Sequence, residues 1–382
     1  MEDLKYCMAL LEQLVAIPST SQNEEALAAF LERYLREELG METTLQRVAE
    51  KSCNVRGEWR QAGATRRLIL GGHIDTVPPS DRWTADPYQL TVQRDIIRGL
   101  GVGDMKGGLA AQLTMLKKLK DENLRLHCDV EFLGLADEER YSTGANTYVD
   151  VVRREGGVRQ DAFFIMAEPH YTNIVVGATG KALYRVDIQG KGGHAAVPES
   201  GINAIDAMAT FLHQVNQEYH TAYKQGEKAS LCCLRVASEY SGYSLNIPDH
   251  CFCLLNKQLL PQENGEEFCS RLEQIFAEQH SGAIFTITPQ VPSYPSYQLP
   301  RTQKDITALL HFLERNYQHT PELRVNQSVS DGNILYHYLH IPTILYGPQG
   351  VDFHTEQEHL LLSSLECYID QLYNYFKEQY SA

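Results

Sequence analysis

Residues 132–145 read FLGLADEERYSTGA, and within them a buried strand runs directly into a group of acids. The apolar residues 130–136 stop abruptly at Asp137, Glu138 and Glu139. A continuous apolar run of this length is typical of a strand that is covered on both faces, as in a parallel sheet. Because open α/β sheets bind their ligands beyond the carboxyl ends of their strands, the three acids mark a candidate site.

Two other predicted strands end in the same way. RRLILGGHIDTV passes from an apolar core into Gly71 and Gly72, and His73 and Asp75 follow. DAFFIMAEP ends at Glu168. Segments with helical spacing of apolar residues separate these strands, and the alternation predicts an α/β sheet.

Three helices are predicted in the first third of the chain. Residues 4–17 form the first, and EEALAAFLERYLREELG forms the second, with Ser21 and Asn23 as candidate N-caps. DMKGGLAAQLTMLKKLKDE forms the third, after a glycine-rich loop, and Asp104 stands at its start.

The character of the sequence changes after NIVVGATG. From residue 181 to about residue 291 the pattern is strand, helix, two strands, helix and strand, and the proline-rich PSYPSYQLP then leads back to α/β alternation. The prediction is a two-domain chain, which its length of 382 residues also favours. Residues 1–179 and 293–382 form an α/β domain that carries the acids, and residues 180–292 form an inserted α+β domain.

Composition disfavours several classes of partner. A net charge of −15 argues against nucleic acid and anionic membrane surfaces as main partners. No apolar run approaches the roughly 18 residues of a membrane span, and acids precede the apolar residues of MEDLKYCMALLEQLVAIPS, unlike in a signal peptide. Nine scattered cysteines without zinc-ribbon spacing predict buried free thiols in a reducing compartment, so we expect a cytoplasmic location.

The side chains at the strand ends are of the types that bind divalent metals. His73 and Asp75 share one face of an extended segment, so one could bind a metal while the other steadies it. Asp104, Glu168 and the distant His354 in GVDFHTEQEHL extend the set. Imidazoles and carboxylates without a thiolate suit hard or borderline metal ions.

Each of these features also has an ordinary structural explanation. A His-x-Asp pair is common at surfaces and caps, Asp104 could cap a helix, and residues 137–139 could be a solvated helix start that favours the helix dipole. A phosphate-binding loop at GLGVGDMKGG is disfavoured, because no Gly-Lys-Ser/Thr follows and Lys106 stands where a dinucleotide fingerprint needs its third glycine. The loop more simply lets the backbone fold closely around a site that Asp104 enters.

Six motifs carry a resemblance to a known family. In order they are GGHIDTVP, GVGDMKGG, ADEE, AEP, GKGGHAAVP and GPQGVDFHTEQE. Their order and spacing over nearly the whole chain resemble the M20 metallopeptidases, which include acetylornithine deacetylase, succinyl-diaminopimelate desuccinylase and glutamate carboxypeptidases. The resemblance implies a zinc-peptidase-like α/β catalytic domain with an inserted α+β sandwich lid, or dimerisation, domain.

The resemblance also implies a site for two divalent metal ions, with zinc expected and cobalt or manganese as alternatives. Asp104 would bridge the two ions. His73 and Glu168 would complete the coordination of one ion, and Glu139 and His354 that of the other.

Further roles follow from the same resemblance. Asp75 would orient the histidine of its motif, and Glu138 would be the general base that takes a proton from the attacking water. In the inserted domain, His194 would stabilise the tetrahedral oxyanion, with a purely local loop histidine as the alternative. Asn246 in SLNIP would contact the substrate near its carbonyl. Asp137 receives no role beyond shaping the turn.

Two positions depart from the family pattern. Many members carry an arginine three residues before the proline of the strand after NIP, where it grips a substrate carboxylate. Here that residue is Gln258, and Lys257 should point to the opposite face of the strand. Asn333 in SDGN stands where several relatives have arginine. We therefore expect a substrate with less anionic character.

The expected function is hydrolysis of the amide bond of a small N-acyl amino acid by water that two zinc ions activate, as in a deacetylase. The alternative enzyme is a di- or exopeptidase that uses the same site. A binding protein that has kept the fold without catalysis is disfavoured, because every expected ligand and Glu138 are present. A homodimer through the lid domain is a family expectation, although monomers occur too.

Overall fold

The computed structural model of the protein describes residues 2–158, 161–226, 229–238, 245–261 and 263–381. Its helices are α1 (Glu2–Ala16), α2 (Glu25–Glu37), α3 (Gly107–Asp121), α4 (Thr143–Arg154), α5 (Ala204–Lys224), α6 (Gly265–Ala277), α7 (Lys304–Tyr317), α8 (Asp331–Leu339) and α9 (Leu362–Tyr380). Its strands are β1 (Glu42–Ala49), β2 (Ser52–Trp59), β3 (Arg66–His73), β4 (Thr91–Gln93), β5 (Ile96–Arg98), β6 (Asp129–Leu135), β7 (Asp161–Met166), β8 (Asn173–Ala178), β9 (Gly180–Gln189), β10 (Leu231–Ala237), β11 (His250–Leu259), β12 (Ile284–Tyr294), β13 (Tyr297–Gln298), β14 (Glu322–Asn326), β15 (Thr343–Leu345), β16 (Gly350–Val351) and β17 (His359–Leu361).

The chain divides into two compact units. The first unit comprises Met1–Gly177, Gln298–Asn326 and Ser330–Ala382, and the second comprises Ala178–Tyr297 and Gln327–Val329. The first unit contains a large sheet and a small sheet of order β16-β17-β5-β4, the second contains one sheet, and each unit has its own apolar core.

The first unit is built on a mixed sheet of order β1-β2-β6-β3-β7-β15-β8-β13, with β14 beside β8. The central neighbours β6, β3, β7 and β15 run parallel to one another, whereas β1 and β2 are antiparallel additions. Every residue of β6 is buried, as the continuous apolar run predicts for a strand covered on both faces. Helix α3 is also largely buried and packs against α1 and α9.

Two predictions about helix starts are wrong. The N-cap of α2 is Glu24, without a side-chain capping bond, rather than Ser21 or Asn23. The hydroxyl of Ser21 instead donates to Asp75 Oδ2 at 2.7 Å. Helix α3 begins at Gly107, three residues later than its predicted start.

The second unit has an antiparallel sheet of order β10-β11-β9-β12 that carries α5 and α6. Apolar side chains alternate along β9, and one face of the strand enters the core with residues of both helices. Helix α5 begins at Asn203, whose side chain accepts the N–H groups of Ile205 and Asp206. This order of elements matches the pattern of the sequence after residue 180.

All nine cysteines are free, and five of them are buried: Cys7, Cys53, Cys128, Cys251 and Cys253. The prediction of burial is wrong for the others, because Cys232 and Cys367 are exposed and Cys233 and Cys269 are half-buried. In the part of the chain that the structure describes, no helix combines the length and the apolar character needed to cross a bilayer.

Candidate active site and metal centre

Strand register brings the candidate residues to one edge of the first sheet. His73, the last residue of β3, pairs with Leu135 of β6, and residues 137–139 follow directly beyond that strand. On its other side β3 pairs with β7, which ends at Met166, two residues before Glu168. The carboxyl ends of three parallel strands therefore meet where the sequence places its acids and its histidine.

Asp104 reaches this edge from an irregular turn before α3. The backbone is not helical at Asp104, with φ −119° and ψ 92°, and the N-cap of the following helix is Lys106. Asp104 is therefore not a helix cap. Gly108 lets the first turn of α3 lie directly against the end of β7, because a Cβ there would stand 2.0 Å from the carbonyl oxygen of Ala167.

Two histidines approach the two oxygens of Asp104. His73 Nε2 lies 2.8 Å from Oδ1, and His354 Nε2 lies 3.5 Å from Oδ2. His354 Nε2 is also 3.0 Å from the carboxylate of Glu139. Glu168 Oε1 lies 3.9 Å from His73 Nε2, beyond hydrogen-bond distance. Asp104 thus lies between two histidine–glutamate pairs, His73 with Glu168 on one side and His354 with Glu139 on the other.

The charges of this group shift one another strongly. Burial alone would raise the pKa of Asp104, but hydrogen bonds from His354 and His73 hold that pKa below its usual range. The bonds to Asp104 and Glu139 raise the pKa of His354 to about 10. Burial raises the pKa of Glu168 to about 8, and the charge of Asp104 adds to the rise. Protons held by His73, His354 and Glu168 therefore compensate a surplus of negative charge at neutral pH.

The donor set fits divalent metal ions. One ligand atom from each of His73, Asp104 and Glu139 lies within 4.8 Å of the other two. Carboxylates gathered this closely repel one another unless protons or a cation neutralise them. Imidazole nitrogens and carboxylate oxygens are the donors that zinc, cobalt and manganese accept. The group is therefore a possible metal site.

Asp75 orders both the histidine and the acid loop. His73 Nδ1 lies 3.0 Å from the backbone oxygen of Asp75 and 3.5 Å from its Oδ1. The Asp75 carboxylate accepts the backbone N–H groups of Glu138 and Glu139, each at 3.1 Å, in addition to the hydroxyl of Ser21. The histidine is thus held mainly through the carbonyl group, while the carboxylate shapes the turn after β6.

Glu138 presents a free carboxylate inside this site. Within the described residues its backbone N–H is hydrogen-bonded, and no donor engages its side chain. Burial raises the pKa of Glu138 well above its usual value, and the charges of Asp331, Glu168 and Glu139 add to the rise while His73 opposes it. Such a group can hold a proton.

The acids after β6 are not a solvated helix start. Asp137 is fully buried, its φ is +65°, and α4 begins only at Thr143. Asp137 Oδ2 accepts the Thr143 hydroxyl at 2.5 Å, and its N–H donates to Glu24 Oε1 at 3.1 Å. Asp137 therefore shapes the turn that presents the next two acids.

Sequence reasoning missed three buried groups around the site. Asp331 begins α8, and burial raises its pKa to about 7. Glu358 accepts backbone N–H groups of the loop before α3. The ammonium of Lys106 donates to the carbonyls of Leu14 at 2.9 Å and Ile17 at 3.0 Å. All three residues lie inside motifs quoted from the sequence, and this position within a motif is the signal that could have identified them.

The second unit places His194 and Asn246 side by side. A backbone bridge joins the two residues, and both are exposed. The Ala196 N–H donates to His194 Nδ1 at 3.1 Å, which leaves the proton of the neutral ring on Nε2.

The positions that depart from the family pattern carry no available cation. Gln258 accepts a hydrogen bond from Thr179 at 3.3 Å. Lys257 points to the opposite face, as predicted, where it is 1% exposed and lies 2.9 Å from Glu263. Asn333 is buried and completes the capping box of α8, whose N-cap is Ser330, with its Oδ1 accepting the Ser330 N–H at 2.9 Å.

Comparison with known sequences identifies a family match and several relatives. Residues 69–378 match the model of peptidase family M20/M25/M40. A probable succinyl-diaminopimelate desuccinylase of Staphylococcus aureus strain Mu50 is 30% identical over 224 residues, covering 58% of this chain and 54% of that protein. The matched region thus spans about half the length of that relative. An N-formyl-4-amino-5-aminomethyl-2-methylpyrimidine deformylase of Halalkalibacterium halodurans is 28% identical over 411 residues, covering 97% of this chain and 93% of that protein.

Solved structures share the fold over nearly the whole chain. A tripeptidase of Staphylococcus aureus superposes with a TM-score of 0.79 at 20% identity, covering 98% of both chains. A dinuclear metal-binding peptidase of the M20 family from Bacillus subtilis superposes with a TM-score of 0.74 at 16% identity, covering 99% of this chain and 98% of that chain. The fold class predicted from the sequence is confirmed.

Proposed function

The chain belongs to peptidase family M20/M25/M40 and is an enzyme of the M20 type, and from this we propose that it hydrolyses the amide bond of a small N-acyl compound at a two-metal site. The observation that carries the proposal is the geometry of Asp104. One of its oxygens faces His73 and the other faces His354, which is the arrangement expected of a carboxylate shared by two ions.

The five donors divide into two sets around the shared carboxylate. Asp104 would serve both ions, His73 and Glu168 would hold one, and Glu139 and His354 would hold the other. We propose zinc, with cobalt or manganese as alternatives of the same ligand preference. Bound there, two divalent ions supply Lewis acidity that polarises the scissile carbonyl and acidifies the attacking water.

Glu138 is the proposed general base. Its free carboxylate can accept a proton from the attacking water and return it to the nitrogen of the leaving amine, so the amide and water become a carboxylate and an amine. Asp75 supports this role, because it fixes the backbone N–H of Glu138 and so limits where the side chain can reach.

His194 and Asn246 are the proposed substrate-binding residues of the second unit. The Nε2–H of His194 is left free to donate by the local bond at Nδ1, as an oxyanion-stabilising donor requires. The Asn246 amide, on the neighbouring bridge residue, would donate to the same carbonyl region of the substrate.

The proposed substrate has less anionic character than a succinylated or C-terminal glutamyl compound. Gln258 is neutral where an arginine would bind a carboxylate, Asn333 is buried in the capping box of α8, and Lys257 is engaged by Glu263. The deformylase that aligns with nearly the whole chain is named for an N-formyl aminomethylpyrimidine, which has no carboxylate. We therefore propose a small N-acyl amino acid or N-acyl amine, such as an acetyl or formyl compound.

The location and assembly are part of the same proposal. Free thiols suit a reducing, cytoplasmic compartment. A homodimer through the second unit is supported by Leu234 and Val236, apolar residues that are half-exposed on the edge strand β10.

A hydrolysis panel tests the proposal. The purified protein, stripped of metal and reloaded with zinc, cobalt or manganese, would be offered acetyl, formyl and succinyl amino acids, an N-formyl aminomethylpyrimidine, and dipeptides. We expect release of the acetyl or formyl group, and none with Glu138→Gln. Cleavage of dipeptides alone would favour the exopeptidase, and strict preference for succinylated or C-terminal glutamyl compounds would refute the proposed substrate class.

A further inference from the structure

Glu358 is a buried carboxylate to which the proposed mechanism gives no role. It is 2% exposed and lies four residues after His354. Its Oε2 accepts the backbone N–H of Gly101 at 3.1 Å, and its Oε1 accepts those of Gly103 at 2.9 Å and Asp104 at 3.1 Å. Three hydrogen bonds to one carboxylate tie this residue to the loop that carries Asp104.

The loop needs such an acceptor because its backbone departs from helical geometry at Asp104 and Met105. Gly101 has a φ of +75°, Asp104 is extended, and α3 begins only at Gly107. Backbone N–H groups that are largely buried require a partner, and a carboxylate is a stronger acceptor than a neutral oxygen. Glu358 therefore stabilises a loop shape that regular helix hydrogen bonds would not impose.

A second contact joins the same two segments. The ring of Phe353 packs on Gly103, where a Cβ would stand 3.0 Å from Phe353 Cε1. The segment 353–358 thus holds the glycine-rich loop by packing at one end and by hydrogen bonds at the other.

We propose that Glu358 is a positioning residue for Asp104, an inference that rests on the proposed two-metal function. With the N–H groups of Gly103 and Asp104 held on one oxygen, the Asp104 side chain leaves the loop with Oδ1 toward His73 and Oδ2 toward His354. His354 and Glu358 both lie on the segment 353–358. This segment therefore supplies the proposed ligand His354 and also shapes the loop that carries Asp104, the proposed shared ligand.

The test compares zinc binding, cobalt spectra and kinetics in the parent protein and in Glu358→Gln. Glutamine keeps the size and one acceptor oxygen but loses the charge. We expect the variant to fold, to bind one of two zinc ions about tenfold more weakly in equilibrium dialysis, and to show an altered absorption spectrum with cobalt. We also expect kcat to fall while KM stays within about twofold, because Glu358 acts through the shared ligand and does not contact the substrate.

A matched control separates positioning from general stability. Asp129 is a buried carboxylate that accepts the backbone N–H of Gln61 at 2.7 Å, at the start of β6 and so at the opposite end of that strand from Glu138. Asp129→Asn should lower the melting temperature while keeping the zinc stoichiometry and cobalt spectrum of the parent. If Glu358→Gln does not fold, Glu358→Asp keeps the charge on a shorter arm, and the same weakening of one zinc ion is expected.

The outcomes distinguish the inference from the function on which it rests. Parental zinc affinity and cobalt spectrum in the folded Glu358 variants, with only a lower melting temperature, would assign Glu358 a purely structural role and overturn the inference. A parent protein that binds no zinc pair and hydrolyses no compound of the panel would overturn the proposed function itself, and the inference would fall with it.

Discussion

The carboxylate of Asp75 accepts the backbone N–H of Glu138 at 3.1 Å, so Asp75 acts on the proposed base through the chain as well as on the histidine beside it. Its second oxygen accepts the N–H of Glu139 at the same distance. One side chain therefore fixes the base and a proposed metal ligand together, and the histidine ring depends more on the carbonyl group of Asp75 than on its carboxylate.

Asp75→Asn should lower kcat by about 10- to 100-fold, because an amide accepts on one atom only and must release one of the two N–H groups. Steady-state kinetics together with circular dichroism would measure the loss in a folded protein. Ser21→Ala removes only the hydroxyl bond to Asp75 and should cost much less activity. Equal losses in both variants would contradict the role of the two N–H bonds.

Glu138→Gln should lower kcat by roughly 10²- to 10⁴-fold and leave the metal content unchanged, because it removes a proton acceptor and no ligand. Metal analysis of the same samples checks the second part. The adjacent Glu139→Gln serves as the contrasting variant, since it should lose metal. Substantial residual turnover in Glu138→Gln would rule out Glu138 as the general base.

Metal binding at neutral pH should release protons and should strengthen as pH rises. The pKa of His354 is raised to about 10 in the metal-free chain, so its ring is protonated at pH 7, whereas coordination needs the neutral ring. Calorimetry in two buffers of different ionisation enthalpy would count the released protons. His354→Ala should bind metal more weakly and release about one proton fewer, and an unchanged zinc stoichiometry and proton count would refute the assignment of this ligand.

Gln258→Arg should shift the substrate preference toward compounds that carry an additional carboxylate on the acyl group, such as succinyl amino acids, because it places a cation on the strand face where Gln258 lies. The ratio of kcat/KM for succinyl and acetyl substrates would report the change. Lys257→Arg is the matched control, since Lys257 lies on the opposite face and is paired with Glu263, so it should leave the ratio unchanged. An unaltered ratio in Gln258→Arg would show that position 258 does not contribute to carboxylate recognition.

The residues at strand ends were accessible to sequence reasoning because each sits at a fixed step beyond an apolar run. His73, Glu139 and Glu168 could be placed at one edge from the alternation of strands and helices alone. The pairing of the acids with His354 came from the family motifs, because no local pattern connects residues 215 positions apart, the separation of Glu139 and His354.

The supporting residues could not be predicted in the same way. Serine is a residue type that often caps helices, yet the hydroxyl of Ser21 donates a hydrogen bond to Asp75, 54 positions away. Asn333 occupies a position that the family pattern associates with substrate, and the structure uses it to cap α8. A short polar side chain satisfies a nearby backbone or a distant partner equally well, and only the folded chain shows which.

The buried ammonium of Lys106 has a consequence for the N-terminal helix. Its partners are the carbonyl of Leu14, in the last turn of α1, and that of Ile17, just beyond the helix, so the end of α1 is closed by a side chain that belongs to the loop of Asp104. Burial lowers the pKa of Lys106 to about 7, and fraying of α1 would leave its buried Nζ without these acceptors, two residues from Asp104. Amide hydrogen exchange in the final turn of α1 should therefore report on the stability of the loop that carries Asp104.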